Sequence, residues 1–362
     1  MSAIQNIFKL YAPEYLNLYN SVMPDNHRKT ISAIQQCRHG SFGANVFRCD
    51  TCGNIHITQC SCGNRHCPTC QNDKAAQWLI NQSKNLLPCS YFLITFTIPE
   101  QLRPFVRSNQ EASYSAMFSA ASDSLKTLAK DKRFVGAEKT GFTGVLHTWG
   151  RQLQYHPHIH FIVPGGGLSK GSDKKWLPSK PAFFVHVKPL SEIYKAKFRD
   201  AMTKAGLFQS IDPSVWRKDW VVHSKAVGNG RASLKYLAPY VFRVAISNSR
   251  IVSYDNHQVV LRYKKSGSNR LRTMTLDAME FIRRFLQHVL PHGFMKIRHF
   301  GLLSPNCSTS IEKVRELISL VYDVVKLIVD PLLHKPKPVM CKHCGDVMQR
   351  TKFISARNRA PG

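Results

Sequence analysis

The sequence predicts an α+β fold, in which a small zinc-binding block near the N-terminus precedes a larger region of strands and helices. Residues 91–98, 142–149 and 155–163 are rich in β-branched and aromatic residues, which favours buried strands. The second and third stretches are joined by a short polar turn at 150–154, which is typical of a hairpin. Apolar stripes at helical spacing flank the strands, and seven cysteines crowd the stretch from 37 to 70.

The predicted helices follow from apolar periodicity and from residues that begin or end a helix. These helical stretches lie at 4–36, 71–87, 111–130, 191–208 and 311–328. Asp277 is placed to cap a further helix, because its carboxylate can accept hydrogen bonds from the first free backbone N–H groups.

The stretches between these elements complete the predicted organisation. Glycines 165–167 end the strand at 155–163, a polar loop follows at 170–181, and short strands run from 241 to 275. We therefore predict three segments, which are helices with the zinc-binding block at 1–88, a mixed region at 89–300, and a helix with a basic tail at 301–362.

The composition indicates a globular protein that binds a polyanion. Among 362 residues, 51 are Lys or Arg and 22 are Asp or Glu, which gives a formal net charge of +29. The electrostatic field of so large a net positive charge attracts nucleic acid. With 43% hydrophobic residues, the chain is not of the disordered, collagen-like or coiled-coil class. Its most apolar stretch, 317–333, is interrupted by charges and proline, and no secretory signal is visible, so we expect a cytoplasmic protein without a membrane span.

Histidines on one predicted strand form the most informative local pattern. Along an extended strand alternate side chains share a face, so His158 and His160 point the same way, about 7 Å apart. His147 lies one strand earlier, and the hairpin turn can bring it beside them. Three neutral imidazoles can hold a divalent cation and leave positions open for substrate. The alternative is a polar strand face that contacts phosphates directly.

Two tyrosines are candidate nucleophiles. Tyr236 and Tyr240 are four residues apart and would share a helix face, although Pro239 between them favours a kink. A phenol attacks phosphorus only if neighbouring cations stabilise the developing charge, and Lys235 and Arg243 are available for that. The alternative is that both tyrosines are core aromatics.

Three motifs together resemble one known family. They are Gly144-Val-Leu-His-Thr-Trp-Gly150, the run from His156 to Ser169 (HPHIHFIVPGGGLS), and Tyr236-x-x-x-Tyr240 with Arg243-Val-Ala-Ile-Ser-Asn248. In this order they resemble the transposases of the insertion-sequence-ninety-one family, which are HUH single-strand nucleases with two tyrosines. The resemblance extends over nearly the whole chain and includes the zinc-binding block.

The resemblance implies a fold and a chemistry. It implies an antiparallel sheet with helices on one side, His158 and His160 as ligands of Mg²⁺ or Mn²⁺, and Tyr236 and Tyr240 as nucleophiles that form 5′-phosphotyrosine links and free 3′-hydroxyls. We infer His147 as the third ligand from its spacing to His158 and from a likeness to relaxases that use three histidines. The implied partners are single-stranded DNA at element ends and target DNA, in a bacterial cytoplasm, with rolling-circle-like transposition as the outcome.

Two other functions stay open from the sequence. A plasmid replication initiator or conjugative relaxase shares this chemistry on another biological substrate. A non-enzymatic, zinc-dependent DNA-binding regulator is the second alternative, and in it the histidines are structural.

The cysteines predict structural zinc. Cys49-x-x-Cys52 and Cys67-x-x-Cys70 have nearly the spacing of a zinc ribbon, in which each pair gives two thiolates to one Zn²⁺. A second site is predicted from the remaining candidates, with its fourth ligand open between His39 and Cys60, because relatives usually carry histidine where this chain has Asn45. The other candidates for that site are Cys37, Cys62 and His66, and the sequence leaves open which thiolates share which ion. Cys341-x-x-Cys344 is half a site, which either completes a site across chains of a homo-oligomer or binds nothing.

Basic residues downstream of the tyrosines predict the DNA-binding surface. Residues 257–300 hold nine Lys or Arg and two Asp or Glu, and residues 335–362 hold seven Lys or Arg and one Asp. Aromatic residues interleave with them, which suits stacking on bases. A solvated basic face is the alternative. The residues predicted to bind DNA are Lys235, Arg243, Arg262, Lys264, Lys265, Arg270 and Arg272.

Overall fold

A computed structural model describes residues 2–70, 78, 80–229, 245–265, 268, 270–322 and 338–356. The α-helices in this part of the chain are α1 (Ala3–Tyr19), α2 (Asp25–Gln36), α3 (Arg103–Ser108), α4 (Gln110–Ala129), α5 (Val187–Lys204), α6 (Ser214–Arg217), α7 (Ala278–Leu286) and α8 (Ile311–Tyr322). The strands are β1 (Ala44–Cys49), β2 (Ile55–Gln59), β3 (Ser90–Thr97), β4 (Gly141–Trp149), β5 (Tyr155–Pro164), β6 (Gly166–Leu168), β7 (Trp176–Pro178), β8 (Val221–Asn229), β9 (Ile251–Asp255), β10 (Gln258–Lys264), β11 (Leu271–Asp277), β12 (Ile297–Gly301) and β13 (Met348–Ile354).

The central element is a five-stranded sheet in the order β12-β4-β5-β3-β8, with every neighbouring pair antiparallel. Alternate residues of its strands are apolar on one face, and the long helices α4 and α5 pack there. Phe96 lies edge-on to Phe161 and to Tyr194 of α5, at centroid distances of 5.7 and 5.0 Å. The α+β prediction with an antiparallel sheet is confirmed.

The opposite face of the sheet is divided between two kinds of side chain. At one end Leu93, Val145 and Ile162 pack against α8 and the β6-β7 hairpin. At the other end the same strands carry His147, His158 and His160, because the side chains that alternate with the core residues become polar there. The end of the face with the histidines therefore provides the site.

A second layer packs against the hairpin of β4 and β5. Strands β9, β10 and β11 form a three-stranded antiparallel sheet, and α1, α2 and α7 share a core with it. Phe8 of α1 meets Phe285 of α7 edge-on, with their centroids 5.0 Å apart. As predicted, Asp277 caps α7 by accepting hydrogen bonds from the backbone N–H groups of Met279 and Glu280.

A third sheet joins the two ends of the chain. Its order is β13-β1-β2, and Ala44–Cys49 pairs antiparallel with Met348–Ile354. None of these three strands follows from the sequence pattern, because two of them bury few side chains and so show little apolar alternation.

The glycine run after β5 differs from its predicted role as a simple strand end. Residues 166–168 form β6, which pairs with β7 inside the predicted polar loop at 170–181. A side chain at Gly166 would lie 2.5 Å from the ring of Trp176, which is buried. The glycines therefore allow the Trp176 ring to approach the backbone closely.

The stretch at 4–36, predicted as one or two helices, forms α1 and α2, and the helices predicted at 111–130 and 191–208 agree with α4 and α5 to within a few residues. The helix predicted at 71–87 lies partly outside the described residues. In the described part of the chain no helix combines the length and the apolar character needed to cross a bilayer.

Candidate metal centre and nucleic-acid interface

Three histidines of two neighbouring strands converge on one point. The β4-β5 register sets His147 directly opposite His158, and Val145 opposite His160. All three imidazoles therefore lie on one face, with ring centroids 4.8 to 5.5 Å apart. One ring nitrogen from each lies within 4.8 Å of the other two. The structure thus brings together the three predicted ligands of the catalytic ion.

Neighbouring groups orient these rings. The Nδ1–H of His158 donates to the carbonyl oxygen of His156 at 2.7 Å, since that oxygen can only accept. This leaves Nε2 with its lone pair for an ion. The Nδ1 of His160 lies 2.9 Å from the hydroxyl of Thr95 on β3, and the ring of Trp149 stacks on His147 at 4.6 Å. Such hydrogen bonds at the second ring nitrogen are usual behind metal-binding imidazoles.

Burial keeps two of the imidazoles neutral. It lowers the pKa of His158 to about 4, and it holds the pKa of His160 well below its ordinary value. The charged form is disfavoured because it loses its hydration in the sheet. Neutral imidazole is the form that binds a cation, so the cluster fits a divalent ion at neutral pH.

The histidines line a cleft of about 670 Å³ that is strongly basic. Three predicted DNA-binding residues, Lys264, Lys265 and Arg272, line the same cleft from the β9-β11 sheet. Among the described residues that line it, no side chain is acidic. The arrangement therefore sets a candidate cation site beside a surface that attracts phosphates.

The other predicted site residues are distributed as follows. Arg262 is exposed and donates to the carbonyl oxygen of Ser249 at 3.3 Å, and Arg270 is exposed just before β11. Neither lines the cleft. The remaining four predicted residues lie outside the described part of the chain, and they are Lys235, Tyr236, Tyr240 and Arg243.

Sequence reasoning missed two arginines that join the cleft walls. Arg250 donates to the carbonyl oxygens of Arg151 at 2.6 Å and of Arg262 at 2.8 Å, and Arg151 donates to that of Lys265 at 2.8 Å. These bonds hold the hairpin turn against the second sheet, and both arginines line the cleft. Arg151 occurs in the predicted turn and Arg250 in the short strands predicted at 241–275, so pairing across the layers was invisible in the sequence.

The predicted zinc ligands form two groups, and the grouping corrects the expected pairing. Four thiols come together in the first group, with the Sγ of Cys70 lying 3.5 Å from that of Cys37 and 3.4 Å from that of Cys62. The fourth member is Cys67. Hydrogen bonds from the neighbouring thiols, that of Cys62 foremost, lower the pKa of Cys70. Cys37 ends α2, so this group holds the cysteine loop against the second core.

His66 is not among these ligands. Desolvation holds the pKa of its half-buried imidazole well below the ordinary value, and Nε2 accepts a hydrogen bond from the backbone N–H of Leu290 at 3.3 Å. The group contains Cys37 and Cys62 as predicted, with Cys67 and Cys70 in place of His66 and of the fourth ligand that the sequence left open.

The second group unites cysteines from the two ends of the chain. Cys49 and Cys52 meet Cys341 and Cys344, and not Cys67 and Cys70 as the ribbon spacing suggested. Spacing along the chain could not reveal this, because it is the pairing of β1 with β13 that sets the partners.

Comparison with known proteins agrees with this arrangement. A family model described as "Putative transposase" matches residues 141–310, which include all three histidines. A model described as "Transposase zinc-binding domain" matches residues 7–98. "Putative transposase y4qJ" of Sinorhizobium fredii is 37% identical over 320 residues, covering 83% of this chain and 80% of the relative. The chain belongs to the insertion-sequence-ninety-one family of transposases.

A second relative of this transposase points the same way. "Transposase for insertion sequence element IS801" of Pseudomonas savastanoi pv. phaseolicola is 28% identical over 354 residues, covering 90% of this chain and 84% of the relative. No solved structure matches the chain. The predictions of a transposase and of a zinc-binding segment ahead of the mixed region are confirmed.

Proposed function

We propose that this transposase nicks and rejoins single-stranded DNA through Tyr236 and Tyr240, with Mg²⁺ or Mn²⁺ held by His147, His158 and His160. One observation carries the proposal, namely the convergence of three imidazoles within 4.8 Å of one another in a basic cleft. A structural histidine cluster has no need of such a cleft. On this proposal the protein works in the bacterial cytoplasm on the ends of its element and on target DNA.

The tyrosines carry the covalent chemistry. A divalent ion, when bound, polarises a non-bridging oxygen of the scissile phosphate. The phenolic oxygen forms a bond to phosphorus while the bond from phosphorus to the 3′-oxygen breaks. The phenol loses its proton to solvent and the 3′-oxygen takes one up, so a 5′-phosphotyrosine and a free 3′-hydroxyl remain. Lys235 and Arg243, close to the tyrosines in sequence, are suited to stabilise the charge that develops.

Rejoining is the same reaction in reverse. A 3′-hydroxyl attacks the phosphotyrosine, the phosphodiester forms, and the tyrosine leaves as a phenol after it regains a proton. Two tyrosines allow the protein to hold two DNA ends covalently at once, so that strands of element and target can be exchanged without release.

The cleft supports single-stranded DNA as the substrate. Its cationic side chains suit the phosphate backbone, and Trp149 and Tyr263 on its walls offer ring faces on which unpaired bases can stack. Unpaired bases expose both faces, whereas bases in a duplex do not.

The proposal is tested by trapping the covalent adduct. The full chain is incubated with Mn²⁺ and a single-stranded oligonucleotide carrying an element end, and a denaturation-resistant protein–DNA species is sought. We expect the wild-type chain to form it and Tyr236→Phe/Tyr240→Phe to lose it. The matched control is Tyr254→Phe, because the Tyr254 hydroxyl accepts from Asn6 at 2.8 Å and does not line the cleft.

A second pair of variants tests the ion site. His158→Ala is expected to abolish adduct formation, whereas His223→Ala is expected to retain it. His223 is an exposed histidine opposite Thr95 on the neighbouring strand and lies outside the cluster. An adduct that persists in the double phenylalanine variant refutes the nucleophile assignment. DNA binding without cleavage by the wild-type chain favours a regulator instead.

A further inference from the structure

Two short segments from opposite ends of the chain have the same sequence pattern and the same backbone geometry. Both read Cys-x-x-Cys-Gly, at Cys49–Gly53 and at Cys341–Gly345. In each, the glycine has a positive φ, +71° and +82°, and its N–H donates to the carbonyl oxygen of the first cysteine at 2.9 and 3.0 Å. The N–H of each first cysteine is also bonded, to the carbonyl oxygens of Asn54 and Asp346.

These turns direct four sulfurs to one point. The Sγ of Cys49 lies 3.4 Å from that of Cys344, and the Sγ of Cys52 lies 3.6 Å from that of Cys341. All four lie within 4.8 Å of one another. The separations exceed the disulfide bond length of about 2.05 Å. They are close to the roughly 3.8 Å that separates four sulfurs held tetrahedrally at about 2.3 Å from Zn²⁺.

We propose that Cys49, Cys52, Cys341 and Cys344 bind a second structural Zn²⁺ within one chain, in addition to the zinc at Cys37, Cys62, Cys67 and Cys70. Four thiolates without an open position form a structural site, not a catalytic one. The family zinc-binding model ends at residue 98, so half of this second site lies outside it.

The sheet that carries the site explains why a cross-link is needed. Strands β2 and β13 bury few side chains, and the small cluster around the site contains only Cys49, Cys341 and Met348 as buried members among the described residues. Ile55, Ile57 and Phe353 on these strands are at least half exposed. A core of this size contributes little stability, and metal coordination is a common substitute.

The site also explains how the C-terminal strand is retained. β13 is an edge strand that pairs only with β1 in the described structure, and its first residue pairs with Cys49. The metal would fasten the start of this pairing, and thereby hold the basic C-terminal segment beside the N-terminal zinc-binding segment. Without it, β13 keeps its backbone hydrogen bonds to β1, a bond from the Thr351 hydroxyl to the carbonyl oxygen of Val46 at 3.2 Å, and the burial of Met348.

Zinc content tests the proposal directly. The full chain is purified under reducing conditions and analysed for zinc per polypeptide, and every sample carries His158→Ala so that the histidine cluster adds no zinc to the count. With all cysteines intact we expect two zinc ions, and one in both Cys49→Ser/Cys52→Ser and Cys341→Ser/Cys344→Ser. Cys307→Ser is the control, since that half-buried cysteine belongs to neither group, and it should retain two. One zinc with all cysteines intact, or two in the Cys341→Ser/Cys344→Ser chain, overturns the proposal, as does iron in place of zinc.

Mixing the two double variants separates a site within one chain from a site shared between chains. If chains exchange their C-terminal strands, each variant supplies what the other lacks, and zinc content rises after mixing and refolding. We expect no rise, because β1 and β13 of the same chain already pair. A rise toward one and a half zinc ions per chain would refute the intramolecular site.

Alkylation of the wild-type chain covers the case in which a variant fails to fold. Cys52 and Cys344 are exposed in the structure, so without metal they should react at once with a thiol reagent. Bound zinc should protect both until a chelator is added, after which peptide mass spectrometry finds them labelled. Rapid labelling of both in the untreated protein, while Cys62 and Cys70 remain protected, contradicts the second site alone and leaves the first intact.

Discussion

The salt dependence of DNA binding should reveal whether the cleft beside the histidines is the DNA path. Lys264, Lys265 and Arg272 are exposed and line this cleft. We consider the triple variant in which all three become glutamine, which removes three positive charges without shortening the side chains drastically.

The expected magnitude follows from counterion release. For a single strand, each neutralised phosphate contributes about −0.7 to the slope of log K against log salt, so three contacts contribute about −2. Between 50 and 200 mM salt, the wild-type affinity should therefore fall about 18-fold more than the affinity of the variant. Anisotropy of a labelled single-stranded oligonucleotide measures both slopes.

A control variant with the same loss of charge elsewhere distinguishes the effect of the cleft from that of the overall positive charge of the protein. Lys188, Arg199 and Lys204 are exposed on α5, which packs on the face of the sheet opposite to the histidines. Their replacement by glutamine removes the same charge. We expect this control to keep the wild-type slope within experimental error. Equal flattening by both triple variants, or by neither, would refute the cleft as the DNA path.

Three further outcomes are expected. Thr95→Val removes the hydroxyl beside Nδ1 of His160. The Mn²⁺ concentration for half-maximal adduct formation should therefore rise about tenfold in this variant, with Thr97→Val as the control. An unchanged Mn²⁺ concentration would contradict the role of Thr95. Burial lowers the pKa of His288 to about 3 from 6.5, so the unfolded state binds more protons than the folded state as the pH falls below 6.5. Between pH 8 and pH 5 the free energy of unfolding of the wild type should therefore drop about 2 kcal/mol more than that of His288→Gln. Urea-denaturation measurements in which both free energies change equally with pH would contradict this. In Gly144→Ala the new methyl group would lie 2.5 Å from the ring of Phe161. The free energy of unfolding, measured in urea, should therefore fall by about 1 to 3 kcal/mol. An unchanged urea midpoint would show that the core relaxes without cost.

Local patterns in the sequence were sufficient for part of the histidine site. Alternation along β5 put His158 and His160 on one face, and the short turn at 150–154 made the hairpin that brings in His147. The place of His147 on that face depends in addition on a β-bulge between His147 and Trp149, which shifts the β4-β5 register and which the sequence did not predict. Local patterns also explain why the long helices and the cap at Asp277 were predicted correctly.

Contacts between distant segments were not accessible in this way. Residue spacing paired Cys49 and Cys52 with the nearer Cys67 and Cys70, whereas the structure pairs them with cysteines almost three hundred residues away. Likewise, Thr95 gave no sign of its contact with His160, because that contact depends on β3 pairing with β5.

By itself, the sequence determined the chemistry that is available: imidazoles in alternation, thiols in pairs and a large excess of positive charge. Only the tertiary structure decided which of these groups meet. The pairing of β1 with β13 chose the partners of the cysteines, and the packing of the second sheet on the hairpin turned scattered lysines and arginines into one cleft. The physical reason is that turn and strand geometry act over a few residues, whereas strand pairing and core packing act between segments of any separation.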